Sequence, residues 1–137
     1  MDKWFDTSEL GPLFLEKTLV TFDIPELFLC VDASGDNKYL VLLLDKDNEM
    51  YLCVPVTNQT IHNVLQGQIP LETAFQKAKD GRAYYITAMK LEYSVKRVKI
   101  SQVPSEHLPR KGVLLNIQIF DEQQLNQITG VTVTQEI

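Results

Sequence analysis

Apolar and polar positions set two regimes along this chain. From Leu27 to Val56 there are three apolar runs, Phe28–Asp32, Tyr39–Asp45 and Met50–Val56, with two polar breaks between them. Each run has ordinary strand length and is rich in Leu, Val, Tyr or Phe, so the pattern predicts a three-stranded antiparallel meander. The breaks, Ala33-Ser34-Gly35-Asp36-Asn37 and Lys46-Asp47-Asn48-Glu49, hold residues that accept turn geometry. The middle run, Leu40-Val41-Leu42-Leu43-Leu44, has no alternation. A strand apolar on both faces needs cover on both, from the helices that follow or from a partner chain.

After Val56 the period lengthens. Thr57 is placed to cap a helix whose inner stripe is Ile61, Val64 and Leu65, which leaves His62 toward solvent. Gly67 is its stop. Pro70 fits the first position of a second helix, with Leu71, Ala74, Phe75 and Ala78 at helical spacing, Lys77 and Lys79 near its end and Gly81 beyond. Upstream, Phe14–Phe22 alternates as a strand, with Phe14, Glu16, Thr18, Val20 and Phe22 on one face and Leu15, Lys17, Leu19 and Thr21 on the other. Before it, Thr7 or Ser8 caps a short helical turn that Gly11-Pro12 ends, and Asp23-Ile24-Pro25-Glu26 breaks the chain ahead of the meander.

Residues 83–100 read as one long β stretch. Leu91, Tyr93 and Val95 share one parity, Val98 and Ile100 the other, and a bulge or kink at Lys96-Arg97 would reconcile them. Residues 102–112, with Pro104 and Pro109, form a loop. Val113–Phe120 is predicted as a strand and Asp121 starts a short helix that Gly130 stops. Val131–Ile137 is a last strand or an extended tail.

The expected fold is therefore α+β: a twisted antiparallel sheet of about five to seven strands with an inserted pair of short helices, in a single domain spanning residues 1–137. The hydrophobic share, 45%, suits a globular chain. The N-terminal residues lack the basic start and apolar core of a secretory signal, and no apolar run approaches the roughly 20 residues that span a bilayer. A cytoplasmic chain with no membrane partner is expected. Cys30 and Cys53, both within predicted strands, fit a reducing compartment as small buried hydrophobes.

Charge sharpens the picture. The net charge is −5, but residues 1–76 carry four lysines against twelve acids, and residues 77–111 nine cations against three acids. An acidic chain disfavours generic binding to a phosphate backbone. Its basic segment, Lys90, Lys96, Arg97, Lys99, Arg110 and Lys111 with Tyr93 interleaved, is the candidate binding surface, for a single strand, an anion or an acidic protein. The bland reading is a solvated strand face.

Other chemistry is thinner. Asp32, Ser34 and Asp36, and again Asp45, Asp47 and Glu49, have the opening spacing of a calcium loop. Neither has Gly at the sixth position or Glu at the twelfth, so turn formation explains them better. His62 and His107 are the only histidines and lie far in sequence from either cysteine. No phosphate loop, nucleophile elbow or metalloprotease motif occurs, and no cofactor, metal or catalytic set is expected.

The order of parts from Pro25 to Ala78 resembles a small bacterial domain family of unknown function. It rests on Leu27-Phe28, on Gly35 before Tyr39-Leu40-Val41, and on the acidic turn before Tyr51-Leu52. It continues through Val54-Pro55-Val56-Thr57, Leu65, Gly67-Gln68-Ile69 and Leu71-Glu72-Thr73-Ala74-Phe75. The resemblance implies a bacterial or phage origin and brings no activity with it. The functional expectation is a non-enzymatic interaction protein that binds and modulates another macromolecule, as an inhibitor, immunity protein, antitoxin or regulatory subunit does. The alternative is an anionic-ligand or nucleic-acid-binding module using the basic 90–111 segment. A homodimer through a sheet edge or the doubly apolar strand is as consistent with the pattern as a monomer.

Overall fold

The computed structural model describes residues 2–22, 24–89 and 92–115. Seven antiparallel strands follow one another in a single sheet of order β1 to β7. They are β1 (Lys3–Thr7), β2 (Gly11–Phe22), β3 (Ile24–Asp32), β4 (Lys38–Asp45), β5 (Met50–Val56), β6 (Arg82–Met89) and β7 (Glu92–Lys99). Two short helices, α1 (Asn58–Leu65) and α2 (Leu71–Gln76), are inserted between β5 and β6, and two single 3₁₀ turns, Ile100–Gln102 and Ser105–His107, follow β7. The sheet and the inserted helix pair match the expectation, although strands dominate. The expected strand at Val113 does not begin there, since residues 113–115 are irregular. The helix from Asp121 and the final strand fall outside the described residues.

The first eleven residues depart from the sequence reading. Lys3–Thr7 is a strand, and Thr7 caps a strand-to-strand turn rather than a helical one, its Oγ1 accepting the Leu10 N–H at 3.0 Å. β3 also starts earlier than expected, with Pro25 inside it. Pro25 pairs with Thr21 of β2, whereas the β4 ladder begins at Leu27, so the missing proline N–H breaks no bond to β4.

The sheet is curled into a half-barrel, and aromatic rings show how tightly. Phe5 of β1, Phe28 of β3 and Tyr51 of β5 lie within 5.1–6.3 Å of one another, and Tyr93 of β7 meets Phe5 at 5.9 Å. Rings from alternate strands converge only if the sheet wraps around them. The outer strands meet where the Tyr93 hydroxyl donates to the Trp4 carbonyl at 3.2 Å. The inner core holds Leu13, Val41, Ile86, Cys30 and Cys53 beside these rings.

The convex face forms a second core against the helices. Leu29, Leu40, Leu52 and Val54 from the sheet meet Ile61, Val64 and Leu65 of α1 and Leu71, Ala74 and Phe75 of α2. Helices of eight and six residues do not hold in water by themselves. Burial of Ile61, Val64 and Leu65, worth about 2 kcal/mol each, fixes α1. Its ends follow the sequence: Thr57 Oγ1 accepts from Thr60 N–H at 3.1 Å, and Gly67 turns the chain at φ +69°. A Cβ at Gly67 would sit 3.3 Å from the Leu115 carbonyl, so the residue is needed for space as well as for conformation. Pro70 sits one residue ahead of the expected place, as the cap of α2, and α2 ends at Gln76, short of Ala78.

The doubly apolar β4 packs on both faces within the chain. Leu40 belongs to the helix-side core and Val41 to the inner core, both fully buried. Leu42 and Leu44 pack half-buried on the first and Leu43 on the second. β2 does not keep the two faces expected of it. Its ladder with β3 shifts register three times, and Leu15 joins the inner core whereas Leu19 packs on the outer one. Near the first shift, Glu16 reaches across β3 to accept from Lys38 Nζ at 2.9 and 3.1 Å in a mostly buried ion pair.

Candidate functional site

The basic residues fall on two sides of the β6–β7 hairpin. The ladder runs unbroken from Met89↔Glu92 to Arg82↔Lys99, so the expected bulge at Lys96-Arg97 is absent. The parity change instead reflects an edge strand used on both faces, Val95 packing on the inner core and Val98 on the outer one. Neighbours in a strand point to opposite faces. Arg97 and Lys99 therefore share the inner-facing side, and Lys96 lies on the other. Lys90 is outside the described residues. Arg110 and Lys111 are exposed in the turn closed by Val113 N–H donating to the Arg110 carbonyl, and belong to neither side of the hairpin.

On the inner-facing side the pairing adds a cation that the sequence reading left out. Arg82 stands directly opposite Lys99, and Tyr84 opposite Arg97. Arg82, Arg97 and Lys99 are all exposed, and none forms an ion pair with a described residue. Once 83–100 is folded as a hairpin, Arg82 is the residue its register places beside Lys99. Two carboxylates interrupt this face. Asp80 accepts from the Tyr84 hydroxyl at 2.7 Å and from the Arg82 backbone N–H at 2.9 Å. Glu9 lines a shallow cavity of about 350 Å³ with Tyr84 and Arg97. Burial, and then the bond to Asp80, pushes the Tyr84 phenol up to about 12. Tyr93, 38% exposed, donates its hydroxyl to the Trp4 carbonyl and packs its ring on Phe5, at the seam with β1.

The opposite side holds a groove of about 490 Å³. Its floor is the cross-strand pairs Tyr85↔Lys96 and Thr87↔Ser94, with Val98 and Met50, and its wall is Gln102, Pro104 and His107 from the 3₁₀ turns. The Tyr85 hydroxyl and His107 Nδ1 are 2.8 Å apart. Burial raises the Tyr85 phenol above its ordinary value, so the hydroxyl keeps its proton at neutral pH. His107 thus meets a tyrosine and neither a cysteine nor a carboxylate among the described residues.

The remaining candidates have structural roles. The Asp32 carboxylate accepts from Ser34 Oγ at 2.8 Å and from Asn37 Nδ2 at 2.6 Å. Asp45 accepts from Asn48 Nδ2 at 2.7 Å and from the Asp47 and Asn48 N–H groups. Both are turn caps. Partial burial opposes ionisation of Asp32, but the Asn37 and Ser34 bonds outweigh it and hold the carboxyl below its ordinary value. The Asn48 bonds do the same for Asp45. Cys30 and Cys53 are free and buried, and burial pushes both thiols up, away from the reactive thiolate.

His62 is the clearest correction. It is 8% exposed, and neither ring nitrogen has a hydrogen-bond partner among the described residues. The apolar stripe assumed a half-buried helix, whereas α1 is embedded over the wider arc from Thr60 through Leu65. Comparisons with protein-family models, with curated proteins and with solved structures return no match for this chain. No helix among the described residues is long and apolar enough to cross a membrane.

Proposed function

We propose that this chain is a non-enzymatic interaction protein that docks on an acidic protein partner through Arg82, Arg97 and Lys99. The carrying observation is their shared exposed face, without described ion partners, in a chain of net charge −5. Complementary charge speeds and orients docking. The interspersed Asp80 and Glu9 favour a protein surface of mixed charge over a phosphate backbone, which rewards a uniformly basic surface. Together with the resemblance of residues 25–78, this supports reading the chain as a bacterial or phage inhibitor, immunity or antitoxin-like protein or regulatory subunit.

The test is a pull-down from lysate with tagged wild-type protein and with R82Q/R97Q/K99Q, each with and without nuclease. One stoichiometric protein, retained after nuclease, lost with the triple variant and released by added salt, is expected. Identical recovery with both proteins, or recovery of nucleic acid alone, would overturn the reading.

A further inference from the structure

The groove on the other side of the hairpin supplies a second site, independent of the docking face. We infer that it binds a small amphipathic carboxylate, the acid group at Lys96 and the apolar part along Tyr85, Val98 and Pro104. Three observations carry this.

The first is a donor-rich floor. Lys96 is exposed and forms no ion pair or side-chain hydrogen bond with a described residue, and the hydroxyls of Ser94 and Thr87 are likewise unengaged. Ser94 and Lys96 lie about 7 Å apart along β7, and Thr87 is directly across from Ser94. An ammonium arm and two hydroxyls thus line one groove, donors that an anionic group can take up together. No carboxylate lies among the described lining residues, although the chain has 18 acids. One cation matches one negative charge, which suits a carboxylate better than a phosphate dianion.

The second is a wall already in place. The Ile100 N–H donates to the Gly81 carbonyl at 2.9 Å, Val103 is buried in the outer core, and Tyr85 ties the second 3₁₀ turn down through His107. A pre-formed cleft of this size is in the range that small ligands occupy, and it loses little entropy on filling.

The third is polarity along the groove. Beyond Met50 and Thr87, which line both, the surface opens into the cavity of Asp45, Asp47 and Glu49. Those carboxylates repel an anion from that end and leave Lys96 as its anchor.

The experiment is a ¹⁵N-detected NMR titration of the full chain with 3-phenylpropionate, its neutral amide and inorganic phosphate. Saturable shifts at Ser94, Lys96 and His107 are expected with the acid. K96Q should weaken them about tenfold, the worth of one charge-assisted hydrogen bond at an open site. K79Q, which removes a charge elsewhere, should leave them unchanged. Lys96 is exposed, so loss with K96Q is not loss of fold, and unchanged amide dispersion confirms it. Non-saturating shifts, equal affinity for acid and amide, tighter binding of phosphate than of the acid, or unaltered binding by K96Q would each overturn the assignment.

Discussion

His62 is buried with two polar nitrogens and, among the described residues, no partner for either. Each such atom carries its desolvation cost without the return of a hydrogen bond. An apolar side chain of similar volume removes that cost, so H62L should raise the unfolding free energy by about 1 kcal/mol in urea titrations. A destabilised H62L would mean that the imidazole has a role in the fold. Lys96 and Arg97 teach a different lesson at this scale. They are adjacent in sequence and were grouped in one patch, yet period two sends them to opposite faces. Arg82 was invisible for the converse reason: it is 17 positions from Lys99 and becomes its neighbour only through the hairpin.

Among the elements, the two meander turns are held by ionised aspartates. Asp32 and Asp45 both have carboxyls below the ordinary value in the folded chain. The unfolded chain binds those protons more readily, so the stabilisation is complete above the ordinary carboxylate value and fades as pH falls through the lower folded value. The melting temperature should hold from about pH 7 to pH 5 and drop below about pH 4. N37A/N48A, which removes the amide donors, should lower the plateau and flatten that drop. An equally steep acid limb in the variant would assign it to other carboxylates.

The same turns explain why the meander was legible: long apolar runs and Asx-rich breaks are local signals. The helix pair was legible through Thr57, Gly67 and its stripe. β1 has only Trp4 and Phe5 as apolar content and is a strand because the curled sheet needs a lid for its inner rings. The start of β3 is hidden by Pro25, whose acceptability depends on the β3–β4 ladder beginning only at Leu27, a tertiary fact. The faces of β2 were misassigned because its register shifts lie in pairing, which single-strand alternation does not encode. Tyr85 and His107 are 22 positions apart, and nothing local joins them.

At the scale of the whole molecule, the sheet buries two cores, one within its curl and one under the helices. β7 packs on both, Val95 on the inner core and Val98 on the outer one. The proposed docking face and the proposed ligand groove therefore lie on opposite sides of one backbone ladder. The seam has its own consequence. Among the described residues it joins positions 89 apart in sequence through the Tyr93–Trp4 hydrogen bond and the Tyr93–Phe5 ring contact rather than a ladder. Closure over such a separation is slow to form, and a segment so lightly held is the first to open. Trp4 is the only tryptophan and lies edge-on to Phe28 at 5.3 Å, beside that joint. Its fluorescence should therefore report a local gate: the emission shift in urea should come before the far-ultraviolet dichroism transition, and Y93F should widen the gap. Coincident transitions would mean that the joint opens only with the whole fold. An unmodified chain thus carries its own optical probe at the place where the half-barrel is least stitched.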